Sequence, residues 1–157
     1  MRKTLLASAI ALMTLVAPAN ADIALRKDTN PFDGTDTFTI GVEAERKSTI
    51  LVVSCEAGKD ATTRLGLMNT FFFGNDPYPS DGDVLSFDMM TDDESVMAVD
   101  FAVIRDGQSV VPVDVEMFKQ AVFEADQISI RRGDWFDTFD LTEKPEHFEE
   151  AKAACFS

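Results

Sequence analysis

The chain has 157 residues, with 28 Asp or Glu against 14 Lys or Arg, a formal net charge of −14, and 45 % apolar residues. That apolar share can build a core and argues against disorder, and the length suits one domain of ordinary size. The acidic balance argues against nucleic-acid binding, where phosphate is met by Lys and Arg, and against docking on an anionic membrane; two cysteines and one histidine cannot complete a four-ligand Cys/His zinc site.

Arg2 and Lys3 form a positive start, Leu5 to Val16 is apolar but for Ser8 and Thr14, and Pro18 precedes an Ala19-Asn20-Ala21 cleavage pattern. These three parts read as a secretory signal peptide over residues 1–21. The apolar run is too short for a hydrocarbon core of roughly 30 Å, and no later segment is longer, so stable membrane insertion is not expected. The expected location is the periplasm or the medium. The exported domain is residues 22–157, and its balance is more acidic still, since the leader carries two cations and no anion.

Residues 22–36 are polar and broken by Asn30-Pro31 and Asp33-Gly34, which reads as an arm with turns. Phe38, Ile40, Val42 and Ala44 then alternate with Thr37, Thr39, Gly41 and Glu43, the period of a half-buried strand. Ile50 to Cys55 is β-branched and apolar on both faces, hence a central strand. Thr63 to Phe73, Val84 to Met90 and Val96 to Arg105 supply three more. Ser109 to Val113 pairs with the last of these across Asp106-Gly107, a hairpin signal. The period then changes: Val115, Phe118, Val122 and Ala125 step by three and four along one helix face, with Asp114 as its N-cap. Gln127 to Arg131 and Trp135 to Leu141 are strands about a Gly133 turn. A closing helix has Pro145 in its first turn and Phe148, Ala151 and Cys155 on its inner face.

The expected fold class is α+β: a mostly antiparallel, curved or sandwich-like sheet with two short helices, one at the C-terminus, covering an edge or face. Cys55 and Cys155 are the only cysteines, and in an oxidising compartment they pair. Such a bridge closes about 100 residues and is worth roughly 4–5 kcal/mol of chain entropy. A catalytic thiol is disfavoured, since His147 stands eight residues before Cys155, about 12 Å along a helix axis.

Candidate chemistry rests on carboxylates. Asp76, Asp81 and Asp83 flank a Pro-Tyr-Pro loop, and Asp92, Asp93 and Glu94 form a second cluster. Neither matches a calcium-binding EF-hand loop, and aspartates beside Gly and Pro are ordinary turn residues. No nucleophile elbow, P-loop or dinucleotide fingerprint occurs. No catalytic residue, metal or cofactor is therefore expected. The remaining reading is recognition: Tyr78, held between two prolines, acts as an anchor, and the two acidic loops form one contact edge for a cationic protein or envelope component. The sequence leaves the oligomeric state open. The expected function is that of an exported, non-enzymatic binding or accessory protein, inhibitor-like, immunity-like or secretion-associated. A small carboxylate-dependent hydrolase is the alternative.

Three segments bear a resemblance. Asn30 to Asp36, the Leu51-Val52-Val53-Ser54-Cys55 strand, and Phe139-Asp140-Leu141-Thr142 followed by a helix ending in Ala154-Cys155 resemble a group of small secreted bacterial proteins. The group includes the VasI family associated with type VI secretion. The resemblance implies a periplasmic, disulfide-linked accessory domain without a catalytic residue.

Overall fold

The computed structural model describes residues 23–46, 49–57, 79–92, 95–104 and 109–156, and the backbone of 64–69. Among the described residues nine strands form one antiparallel sheet: β1 Ile23–Thr29, β2 Asp36–Glu43, β3 Thr49–Glu56, β4 Arg64–Asn69, β5 Val84–Thr91, β6 Met97–Ile104, β7 Ser109–Pro112, β8 Gln127–Arg132 and β9 Trp135–Asp140. Their order across the sheet is β1-β2-β3-β4-β7-β6-β5-β8-β9. Helix α1 spans Val115–Glu124 and α2 spans Phe148–Cys155. The sheet curls into a half-barrel. Beyond the end of β2, the Glu45 N–H donates to the Thr138 carbonyl of β9 at 3.0 Å, and the Arg46 guanidinium stacks 3.6 Å over the Phe136 ring.

Side chains in a strand alternate between faces, so one face of the curl collects every second residue. Phe38, Ile40 and Val42 of β2, Leu51, Val53 and Cys55 of β3, Phe87 of β5, Val99, Phe101 and Val103 of β6, and Ile128 and Ile130 of β8 are all buried. Phe118, Val122 and Phe123 of α1 and Phe148 and Ala151 of α2 cover this face. Trp135, Phe87, Phe101 and Phe118 meet edge to face in succession, at centroid distances of 6.0, 5.0 and 5.3 Å, linking β9, β5, β6 and α1. Each such pair adds about 0.5–1.5 kcal/mol beyond area burial.

Asp114 caps α1 as expected, accepting from the Met117 N–H at 3.0 Å. Two lysines close the helix C-termini, where the dipole is negative. Lys119 of α1 donates to the Cys155 carbonyl at 2.8 Å, and Lys144 donates to the Ala125 carbonyl at 2.9 Å. Lys119 is only 5 % exposed and keeps Glu116 as its counter-ion at 2.8 Å.

The α+β class and the antiparallel pairing match expectation, and three local readings change. The supposed polar arm contains β1, whose Ile23 to Thr29 pair residue by residue with Val42 to Asp36. An edge strand buries little, so its side chains carry almost no apolar alternation; Arg26, Lys27 and Asp28 are exposed. Strand β3 does lie inside the sheet, but Ile50 on its outer face is 42 % exposed, so the strand is buried on one face only. Helix α2 starts at Phe148, after a turn in which the Phe148 N–H donates to the Pro145 carbonyl at 3.2 Å. His147 takes the cap position in a left-handed conformation, φ 66°.

A disulfide joins Cys55 of β3 to Cys155 at the end of α2, with Cα atoms 5.2 Å apart. It pins the last turn of the chain to the sheet interior. The double variant Cys55→Ala/Cys155→Ala is expected to lose about 2–5 kcal/mol of unfolding free energy, measured by denaturant titration; an unchanged midpoint would mean that α2 docks without the bridge.

Candidate functional site

Of the residues assigned to the two acidic loops, Asp81, Asp83 and Asp92 are described. Asp81 and Asp83 precede β5 and Asp92 follows it, so the strand Val84–Thr91 lies between them and spans roughly 23 Å at about 3.3 Å per residue. Asp76, Tyr78, Asp93 and Glu94 lie outside the described residues.

Asp83 and Asp92 hold main chain. Asp83 accepts from the Ser80 N–H at 2.8 Å, fastening the turn before β5. Asp92 sits at φ 47°, a left-handed position that Asp tolerates better than most residues. One of its carboxylate oxygens accepts from the N–H groups of both Asp126 and Gln127 at 2.8 Å. It thereby fixes the passage from α1 to β8.

The most exposed large apolar side chain among the described residues is Phe32, 96 % accessible at the tip of the β1–β2 hairpin. Its loop is fastened from within by four bonds. The Asn30 N–H donates to the Thr35 carbonyl at 2.8 Å and the Gly34 N–H to the Asn30 carbonyl at 2.9 Å. The side chains of Asn30 and Asp33 accept from the Phe32 and Thr35 N–H groups, both at 2.9 Å. Gly34 sits at φ 75°, which a side-chain-bearing residue adopts only with strain. The geometry fixes the backbone that presents this hydrophobic ring to water, next to Asp33 in the chain.

A network at the hairpin base fixes its direction. Lys27 of β1 reaches Asp36 at 3.1 Å and Glu150 of α2 at 3.0 Å. Thr29 donates to Asp36 at 2.6 Å, and His147 Nδ1 lies 2.9 Å from Glu150. The hydrogen bond from Thr29, then Lys27, holds the Asp36 carboxyl below its ordinary range. The hydrogen bond with His147, then Lys27, does the same for Glu150. Hydrogen bonds with Glu150, then Asp36, hold the Lys27 ammonium above its ordinary value. The hairpin is thus tied to α2, and α2 to β3 through the disulfide.

One carboxylate lies inside. Asp137 of β9 is fully buried on the core face, opposite Ile130. All other described carboxylates lie at the surface to some degree. On the outer face, Met90, Val96 and Phe136 line a shallow groove beside the Asp88–Arg131 ion pair.

Sequence reasoning assigned the anchoring aromatic to Tyr78 and passed over Phe32. The signal available was Asn30-Pro31-Phe32-Asp33-Gly34 itself: four turn formers surround a phenylalanine that matches neither periodicity. No family profile, curated protein or solved structure matches the chain.

Two outcomes test this reading of the site. Asp92→Ala removes an acceptor shared by two N–H groups and is expected to cost about 1–2 kcal/mol, whereas Asp92→Asn, which keeps an oxygen and tolerates the same backbone, stays near wild type in thermal unfolding. The second concerns pH. Depressed carboxyls give Asp36 and Glu150 a stabilisation that is whole above their ordinary pKa and lost as pH falls through their folded values. Raised Lys27 gives one that is whole below 10.5 and lost as pH rises through its folded value. The network is complete between roughly pH 5 and pH 10. In an NMR titration, Lys27→Met should raise the midpoints of both Asp36 and Glu150; midpoints that stay put would contradict the assigned partners.

Proposed function

We propose that the protein is an exported, non-enzymatic binding or accessory protein that engages a cationic partner through an acidic surface, with the β1–β2 hairpin tip as its anchor. The observation that carries this reading is Phe32: a large ring 96 % exposed, on a loop stiffened by its own hydrogen bonds. Exposing that area to water is unfavourable, and a rigid aromatic loses little entropy when a partner covers it, which is how anchor residues contribute most to interfaces.

The charge distribution supports the second half. The chain's net charge is −14, and among the described residues only Lys119 and Asp137 are buried charged side chains, so the remaining described charges act on long-range encounter with cations. The disulfide is compatible with an oxidising, exported location, in line with the signal-like residues 1–21. Among the described residues no helix is long and apolar enough to cross a membrane. A secretion-associated role follows the resemblance to the VasI group, and an inhibitor- or immunity-like role is the other concrete form. Hydrolysis by carboxylates asks for two of them facing each other across a substrate; among the described residues Asp137 is the only buried carboxylate.

The test is affinity capture from a periplasmic extract at low and high ionic strength, using wild type and Phe32→Ser. Because Phe32 is almost fully exposed, the variant should unfold at the wild-type midpoint. A basic protein retained by wild type, weakened by salt and lost with Phe32→Ser is the expected result. Identical capture by both proteins at both ionic strengths would refute the proposal.

A further inference from the structure

Three of the chain's seven methionines meet around one cavity. Met89 of β5 and Met97 of β6 are direct cross-strand partners on the core face, so their Cβ atoms lie about 5 Å apart. Met117 of α1 joins them from the helix side, and the three line a half-open cavity of about 380 Å³ together with Thr91, Asp92, Gln120 and Glu124. Met89 is 1 % exposed, while Met97 and Met117 are partly buried.

Methionine in a core is usually filler, because its three torsions let it close irregular gaps. Here three flexible side chains line one half-open space, which they could close over a ligand. Their sulfurs are soft, polarizable and uncharged, the donor type that selects Cu(I) over Mg, Ca or Zn. The cysteines and the histidine offer no rival donor: Cys55 and Cys155 are joined to each other, and His147 is held by Glu150. Among the described residues no group of three His, Cys, Asp or Glu side chains could hold a metal. The carboxylates of Asp92 and Glu124 in the lining and the net anionic charge favour a cation there.

We propose that this cavity is a site for a soft monovalent cation, Cu(I), bound by the thioethers of Met89, Met97 and Met117. Binding requires no redox step and no loss of a proton. Thioethers do not titrate, so affinity is the same at pH 5 as at pH 7, whereas a site built on histidine or thiolate weakens with acid.

Ag(I), a redox-inert stand-in for Cu(I), is titrated into the disulfide-bonded protein carrying ¹³C-methyl methionine, in chloride-free buffer at pH 7 and pH 5. The methyl signals of Met89, Met97 and Met117 should shift together, with that of Met90 on the outer face unmoved, and with equal affinity at both pH values. Met97→Leu/Met117→Leu preserves volume and apolarity and should weaken binding by at least about tenfold, the scale on which even outer-sphere losses act. Anaerobic competition for Cu(I) against bicinchoninate should rank the two proteins the same way. Silver that shifts no methyl, that shifts Met90 instead, that binds the double variant as tightly as wild type, or that is lost at pH 5 would overturn the proposal. These readouts are independent of Phe32 and of any protein partner.

Discussion

The bond between Cys55 and Cys155 decides where the end of the chain lies. Helix α2 has eight residues and buries only Phe148, Ala151 and Cys155, too little for a helix of that length to hold itself in place. Tethering it to an interior strand makes docking nearly intramolecular. The remaining contacts then build on that position: Lys119 closes its C-terminus from α1, Phe123 packs on Phe148 at 5.3 Å, and Glu150 receives Lys27 from β1. Through that last contact the clamp extends to the hairpin that carries Phe32.

The half-barrel divides the molecule's chemistry by face. One face collects apolar side chains from both ends of the strand order and is covered by the two helices. Apart from Asp137, the described acidic residues are left to loops, edges, helix surfaces and the outer face, where some cap main-chain N–H groups and others meet lysines. An acidic protein of this kind is held together by a conventional apolar core and by a few cations placed at helix ends and across element boundaries. Lys27, Lys119 and Lys144 each bridge two elements, so in a chain poor in cations these three organise much of the tertiary contact.

Much of the fold was legible from periodicity. The alternation from Phe38 to Ala44 and the three-and-four spacing of Val115, Phe118 and Val122 depend only on which face is buried, and burial here is one-sided and strong. Strand β1 was illegible because an edge strand is defined by main-chain pairing, which leaves no mark on side-chain type. How Asp83 and Asp92 are separated could not be read either: they are near in sequence, but the extended strand between them puts them at opposite ends of β5. The methionine cavity could not be read at all. Met89, Met97 and Met117 come together only through the β5–β6 register and the docking of α1. Phe32 stood in plain view, yet an aromatic inside a turn is read as an exception until its exposure is measured.

The clamp is tested most directly by peptide mapping of protein purified without reductant, with any free thiol alkylated before digestion. A single cross-linked species containing the Cys55 and Cys155 peptides, which separates only on reduction, is the predicted result. Recovery of both peptides unlinked and alkylated would contradict it, and the placement of α2, Lys119 and the hairpin network would need another cause.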